Sequence, residues 1–225
     1  MKPPSDYVSQ NNMYNSLAQI RKEYSLQKLT RDSVQPDPLE QFHIWLNAAI
    51  NARVNEPTAM TLATVGNNCS PSARIVLLKG ISNAGLTFYT SYESRKGQQL
   101  QKNSHAAAVF FWPELERQVR FEGITEMLPS GESDDYFNSR PAGSQAGAWA
   151  SRQSRIITSR SVLEDEMKRV TARFKNKPVP RPPYWGGYRL IPNCAEFWQG
   201  RPDRLHDRIS YVLEAGNWEI SRLSP

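Results

Sequence analysis

Four clusters of basic, hydroxyl and aromatic residues have the types and spacing to hold a flat, negatively charged ligand. The first is Arg74-Ile75-Val76-Leu77-Leu78-Lys79. As a strand it puts Arg74, Val76 and Leu78 on one face and Ile75, Leu77 and Lys79 on the other. Its basic ends could then clasp opposite parts of an anion, although a buried strand whose charged ends simply reach water is the plainer reading. The second joins Tyr89-Thr90 to Ser94-Arg95-Lys96-Gly97, just ahead of a helical pattern through Leu100. A helix start offers free backbone N–H groups and a favourable dipole, so a phosphate fits there.

The third cluster is Tyr136, Arg140 and Ser144. On one helix Tyr136 and Arg140 share a face, and with the Ser144 hydroxyl they could cradle a phosphate monoester; an ordinary helix surface is the alternative. The fourth is the run Glu196-Phe197-Trp198-Gln199-Gly200 followed by Arg204-Leu205-His206-Asp207-Arg208. In extended chain Arg204, His206 and Arg208 face one way. Their mutual repulsion then requires an anion or a carboxylate nearby.

These residues need elements to carry them. Asp37-Pro38-Leu39-Glu40 reads as a helix start, with Asp as cap and Pro at the first position. The spacing of Leu39, Phe42, Leu46, Ala49 and Ile50 predicts an amphipathic helix over 38–54. Strand patterns follow at 59–65, 72–78, 86–90, 105–112 and 117–128, with a turn signal at Gly66-Asn67-Asn68. Helical stretches are expected near 133–138, 145–150 and 161–174, and a Pro-rich loop at 178–183. Further strands are expected at 188–191, 196–199, 208–213 and 218–223. Many short strands without strict strand–helix alternation predict a mainly β fold, an antiparallel barrel with peripheral helices. Residues 1–36 read as a flexible arm, with a short helical candidate at 13–24, and 37–225 as one domain.

Composition sets the limits. The chain has 225 residues and a net charge of +6, with 19 Arg against 9 Lys. Arginine's rigid fork suits phosphate, but nucleic acid or a solvated basic surface would use it too. The longest apolar run, Ala106 to Trp112, is too short to cross a bilayer, and Met1 to Asn12 has no apolar leader core. A cytoplasmic protein is expected. Cys69 and Cys194 lack metal or redox spacing, and the three histidines form no metal motif, so no metal site is expected. A Gly-x-Gly-x-x-Gly fingerprint is absent.

Ten strings, in order, resemble the pyridoxamine/pyridoxine 5′-phosphate oxidase family: R-K-E-Y (21–24), R-I-V-L-L-K (74–79), F-Y-T (88–90), S-R-K (94–96), R-Q-V-R (117–120), Y-F-x-S-R-P (136–141), G-A-W-A-S-R-Q-S (147–154), W-G-G-Y (185–188), E-F-W-Q-G (196–200) and R-L-H-D-R (204–208). The resemblance implies an FMN-binding split β-barrel of Greek-key type, a homodimer with two flavin sites shared across its interface. It assigns the flavin to Arg74, Ile75, Val76, Leu77, Leu78 and Lys79, to Tyr89, Thr90, Arg95 and Lys96, and to Gln118, Gln153, Ser154, Trp198 and Arg208. It assigns the substrate to Lys79, Tyr136, Arg140, Ser144, Arg204, Leu205 and His206, with Arg21, Lys22, Glu23 and Tyr24 as a lid. Arg204 and His206 are the catalytic candidates, contacting the reacting end; no essential base is implied.

The activity implied is oxidation of pyridoxamine 5′-phosphate or pyridoxine 5′-phosphate to pyridoxal 5′-phosphate. A hydride passes to flavin N5, O2 is the acceptor, and H2O2 is released, with ammonia from the amine. The alternatives are an FMN reductase of the same barrel class with another substrate, or a non-catalytic pyridoxal-phosphate carrier. No nucleic acid or membrane partner is expected. Two positions depart from the family pattern: Ala146, where a larger aliphatic residue is usual, and Arg155, which adds a cation beside the flavin segment.

Overall fold

Asp37 starts the first helix as expected: its carboxylate accepts from the Leu39 and Glu40 amides at 2.6 and 3.3 Å, and Pro38 occupies the first turn. In the computed structural model, which describes residues 22–225, this helix (α1) spans Pro38–Asn51, three residues shorter than the pattern predicts. It buries Leu39, Phe42, Trp45, Leu46 and Ala49. Ile50, expected on that face, is exposed; the buried polar Gln41 instead accepts from the Gln35 amide at 3.0 Å.

Nine antiparallel strands follow: β1 (Ala59–Val65), β2 (Pro71–Leu77), β3 (Gly80–Ser82), β4 (Gly85–Ser91), β5 (His105–Trp112), β6 (Arg117–Met127), β7 (Trp185–Gln199), β8 (Asp207–Glu214) and β9 (Asn217–Leu223). Four helices intervene: α2 (Arg95–Lys102), α3 (Ser130–Ser139), α4 (Ala142–Ala150) and α5 (Arg160–Arg173). The sheet order is β2-β1-β5-β6-β7-β4-β3, with β8 and β9 continuing from the far half of β7. The sheet curls so that its two edges, β2 and β3, meet where the chain runs from one to the other: the Leu78 amide donates to the Thr58 carbonyl and the Lys79 amide to the Thr87 carbonyl, both at 2.8 Å. This is the expected antiparallel barrel with peripheral helices.

Two expected strands are one. Residues 188–191 and 196–199 lie in the single fifteen-residue β7, which Pro192 does not end because the register against β6 shifts there, between Glu122 and Gly123. A bulge accommodates a residue without an N–H. β3, only three residues long, was not anticipated.

The core is aromatic. Phe42, Phe88, Phe110, Phe121, Phe197 and Tyr211 are fully buried, and Phe42 packs on Phe110 and Phe121 with ring centroids 4.7 and 5.1 Å apart. Truncating one such Phe costs about 3–5 kcal/mol, which makes this a rigid scaffold for groups on the outer wall.

The segment before α1 is fastened to the barrel, unlike the flexible arm expected there. Leu29 is buried in the core, its amide donating to the Asp207 carboxylate at 3.0 Å and its carbonyl accepting from Arg222 at 2.9 Å. The Tyr211 hydroxyl donates to the Gln35 carbonyl at 2.7 Å. Residues 22–24 are not helical; the rest of the 13–24 helix candidate, and Arg21, lie outside the described residues. Cys69 and Cys194 are free thiols. Among the described residues no helix is long and apolar enough to cross a membrane, and no cluster of potential ligands could hold a metal ion.

Candidate active site

The first half-site is a cavity of about 290 Å3 on the outer wall where β2, β4 and α3 approach, lined by residues 75–77, Lys79, Tyr89, Thr90, Lys96, Tyr136, Arg140, Gln153 and Trp185. Strand alternation places its floor: Arg74, Val76 and Leu78 turn inward, and Ile75, Leu77 and Lys79 are exposed. β2 is thus an edge strand with an open apolar face, and not the buried strand of the plainer reading. Ile75 is 63% exposed, a large apolar surface suited to a flat ring or a second subunit.

One end of this cavity is cationic. Ser94 caps α2, accepting from the Gly97 amide at 3.2 Å while donating to the Ser91 carbonyl at 2.7 Å. Gly97 is required: a Cβ there would lie 2.6 Å from the Ser91 carbonyl. Lys96 reaches back from the first turn, donating to Thr90 Oγ1 at 3.1 Å and Gln153 Oε1 at 2.8 Å. Arg74 is held from behind by the Leu62 carbonyl, Thr64 and Ser72 at 3.1, 2.6 and 2.7 Å. Burial, and then the Arg74 charge, bring the Lys96 ammonium down to about 8. Burial and then Arg95 lower Arg74 as well. Among the described residues no carboxylate lies within 4 Å of Arg74, Arg95 or Lys96. Three clustered cations without a counter-charge call for an anion. Ser154 follows Gln153 with φ 69° and is exposed.

The other end is aromatic. Tyr89 stacks on Tyr136 with centroids 3.8 Å apart and on Trp185 at 5.6 Å. Gly187 makes room, since a Cβ would press on Leu128 and come within 2.8 Å of Tyr89 Cε1. Burial raises both Tyr89 and Tyr136, keeping their hydroxyls protonated. The Arg140 guanidinium lies 4.6 Å over Trp185, a cation–π contact, and its Nη1 is buried without a partner. A buried, unsatisfied charged donor is costly alone, and a ligand phosphate would satisfy it. Arg140 does not share a helical face with Tyr136: it follows the last turn of α3 in extended conformation, φ −74° and ψ 148°, as the residue before a proline prefers. Ser144, in the first turn of α4, is exposed and is not part of the lining. Ala146 is buried with Ala150 and Val170 between α4 and α5, and Arg155 is exposed.

The second half-site lies elsewhere on the wall, a cavity of about 650 Å3 lined by Lys22, Glu23, Tyr24, Arg201, Asp203, Arg204 and His206. His206 Nδ1 accepts from the Arg201 amide at 3.1 Å, so its neutral ring carries the proton on Nε2. Burial, then Arg204, lower its pKa and favour that neutral form. Its ring packs on Trp198 at 4.6 Å, and Tyr24 meets Trp198 and His206 edge-on at 5.6 and 5.8 Å. Leu205 is largely exposed.

The extended alternation expected for Arg204, His206 and Arg208 is absent. Pro202–Arg204 is a 3-10 turn in which Asp203 and Arg204 have φ of 55° and 62°. Arg208, the second residue of β8, is paired bidentately with buried Glu196 at 2.8 and 2.9 Å, and Arg120 joins the same carboxylate at 3.0 Å. The carboxylate that the repulsion argument required was therefore in the neighbouring strand, two residues before Trp198. Gln118 stands directly across from Trp198 on β6. Trp185, Arg201 and the buried Glu116 were given no site role from sequence; none shows in periodicity, because each acts through contacts with residues distant in the chain.

The sequence model described as pyridoxamine 5′-phosphate oxidase matches residues 46–174, more than half the chain. A pyridoxine/pyridoxamine 5′-phosphate oxidase of Cyanothece sp. is 52% identical over 93% of this chain and 99% of its own length. That of Cupriavidus taiwanensis is 55% identical over the same shares. The chain belongs to the pyridoxamine 5′-phosphate oxidase family. Residues 185–225 match the family's C-terminal dimerisation region, so β7, β8 and β9 carry the surface by which members pair. Among solved structures, PhzG from Burkholderia lata, in complex with tetrahydrophenazine-1-carboxylic acid, superposes with a TM-score of 0.84 at 32% identity, covering 89% of this chain and 100% of that one. A pyridoxamine 5′-phosphate oxidase-related, FMN binding protein of Nostoc punctiforme has the same fold, with a TM-score of 0.68 at 17% identity over 85% of this chain and 100% of that one.

Proposed function

We propose that this chain is a cytoplasmic homodimer that oxidises pyridoxamine 5′-phosphate or pyridoxine 5′-phosphate to pyridoxal 5′-phosphate with FMN. The observation that carries the reading is a cavity with two separate anion-seeking ends: the uncompensated Arg74, Arg95 and Lys96 cluster, and the buried, unpartnered Nη1 of Arg140. A flavin nucleotide and a phosphorylated substrate bring one phosphate each.

Arg95, Lys96 and the α2 start would take the FMN phosphate, with Thr90 and Gln153 orienting the ammonium. The outward face of β2, Ile75 and Leu77, would meet the flavin ring. When bound, FMN supplies the two-electron acceptor for the hydride leaving the substrate carbon that bears the amine or hydroxyl, and O2 then takes the electrons as H2O2. Arg140 and the Tyr136 hydroxyl would clamp the substrate phosphate, with Lys79 beside them and Ser144 nearer the rim. Arg204 and neutral His206 would face the reacting end from the partner, His206 offering a hydrogen bond from Nε2. Their work is to position the substrate and exclude water.

The register on β7 supports a site built from two chains. Tyr89 pairs with Gly187, whereas Gln118 and Arg208 both pair with Trp198. From Gly187 to Trp198 is eleven residues, about 35 Å of strand, more than one flavin nucleotide spans. An isologous interface brings the early group of one chain to the late group of the other and makes two equal sites.

The test is to load the purified dimer with FMN and supply each phosphorylated vitamer and, separately, the unphosphorylated ones. Aldehyde and H2O2 should form in equal amounts from the phosphorylated compounds. Turnover without preference for the phosphate would count against the reading.

A further inference from the structure

We infer that the buried carboxylate of Glu116 is a positioning residue that latches residues 22–26 across the second cavity and thereby sets Tyr24 as its wall. This rests on the reading of that cavity as the place of the substrate's reacting end.

Glu116 closes the turn between β5 and β6 with a left-handed backbone, φ 54°. Glycine is favoured at such a position, and a side chain there carries a strain that needs a return. Its carboxylate points away from its own hairpin to another segment: it accepts from the Ser25 and Leu26 amides at 2.9 and 3.1 Å, with Lys22 Nζ 3.7 Å away. The side chain is 4% exposed, so these charge-assisted bonds are shielded from water. They fasten a stretch that has no regular secondary structure of its own.

The same residue is tied to the cavity's other wall. The Gly200 amide donates to the Glu116 carbonyl at 2.7 Å, and Gln199 Nε2 donates to it at 3.2 Å. Gly200 packs so closely under Tyr24 that a Cβ there would lie 2.7 Å from the tyrosine Cβ and Cγ. Glu116, Gly200 and Tyr24 therefore form one contact that turns the Tyr24 ring against Trp198 and His206. Without the carboxylate, nothing else in the hairpin holds the Ser25 and Leu26 amides.

The backbone strain supplies a clean test. Glu116→Gly relieves the left-handed conformation while removing the latch, so a purely structural role and a positioning role predict opposite results. Glu116→Gln retains an acceptor and should fall between. FMN-loaded wild type and both variants are compared for melting temperature, flavin content, kcat and KM for pyridoxine 5′-phosphate, and the rate of trypsin cleavage after Lys22 and Lys28. Expected for Glu116→Gly are unchanged flavin content and no loss of melting temperature, faster cleavage, and a KM raised about tenfold or more with a smaller change in kcat. Equal cleavage rates, or a lowered melting temperature with KM unchanged, would overturn the latch. Absence of turnover by the wild type itself would overturn the reading of the cavity and the latch's part in it together. Wild-type turnover with an unaltered KM in Glu116→Gly would overturn the latch alone.

Discussion

Tyr89 and Trp198 mark opposite ends of β7: Tyr89, on β4, stands across from Gly187 near the start of β7, and Trp198 lies eleven residues farther along β7, paired with β6 and β8 instead. Each is an aromatic centre of one of the two cavities. The Tyr89 half has uncompensated cations and an unsatisfied guanidinium, while the Trp198 half has a neutral histidine and an arginine pair around Glu196. Their separation within one chain is what supports the proposal of a site shared between two chains.

Replacing Arg95 and Lys96 together by Ala should strip the flavin. Ligand at a hundred times its dissociation constant stabilises a fold by about 2.7 kcal/mol. The double variant should lose that shift in melting temperature on adding FMN, while its melting temperature without FMN stays near the wild-type value. Retained yellow colour through gel filtration would contradict the assignment.

Lys96 also predicts a pH dependence. Its ammonium sits near 8 in the free protein because burial and Arg74 disfavour the charge. Below that pH the charged form meets the phosphate directly; above it, binding must first take up a proton. FMN affinity should fall as pH rises from about 7 to 9, approaching tenfold per unit at the upper end. Lys96→Arg, which does not titrate in this range, should give a flat profile by fluorescence titration, and a flat wild-type profile would exclude Lys96 from the phosphate.

Arg140→Ala removes a charge-assisted contact worth roughly 1.5–3 kcal/mol, or about 10- to 150-fold. The loss should appear in KM for the phosphorylated substrate, with flavin content normal. If the variant loses FMN and keeps its KM, the two phosphate ends have been exchanged.

The parts legible in the sequence were those governed by local chemistry. Asp37-Pro38 marked a helix start and the alternation of 74–79 gave the correct faces. The helix start at 94–97 and the strands at 59–65 and 105–112 also followed from their own residues. What sequence missed was decided across strands. The strands expected at 188–191 and 196–199 are continuous, because a register shift against Gly123 absorbs Pro192 between them. Arg208 called for an anion or a carboxylate, and which of the two was decided by Glu196 on β7. Arg140 looked helical, and the following proline pulls it out of the helix. Leu29 looked like part of a loose arm, yet Asp207 and Arg222, almost two hundred residues away, hold it down.

The most direct measurement is complementation between two inactive chains. Lys79 lines the first half-site and Arg204 the second; Arg204 suits this test better than Arg208, whose loss would unbalance Glu196. Lys79→Ala and Arg204→Ala chains, each inactive as a homodimer, are co-expressed with different tags and the doubly tagged dimer is isolated. If sites are shared, one site of the mixed dimer carries both lesions and the other none, so about half of the wild-type activity per dimer should return. If each chain builds its own site, both sites keep a lesion, and a confirmed heterodimer without activity would contradict the account.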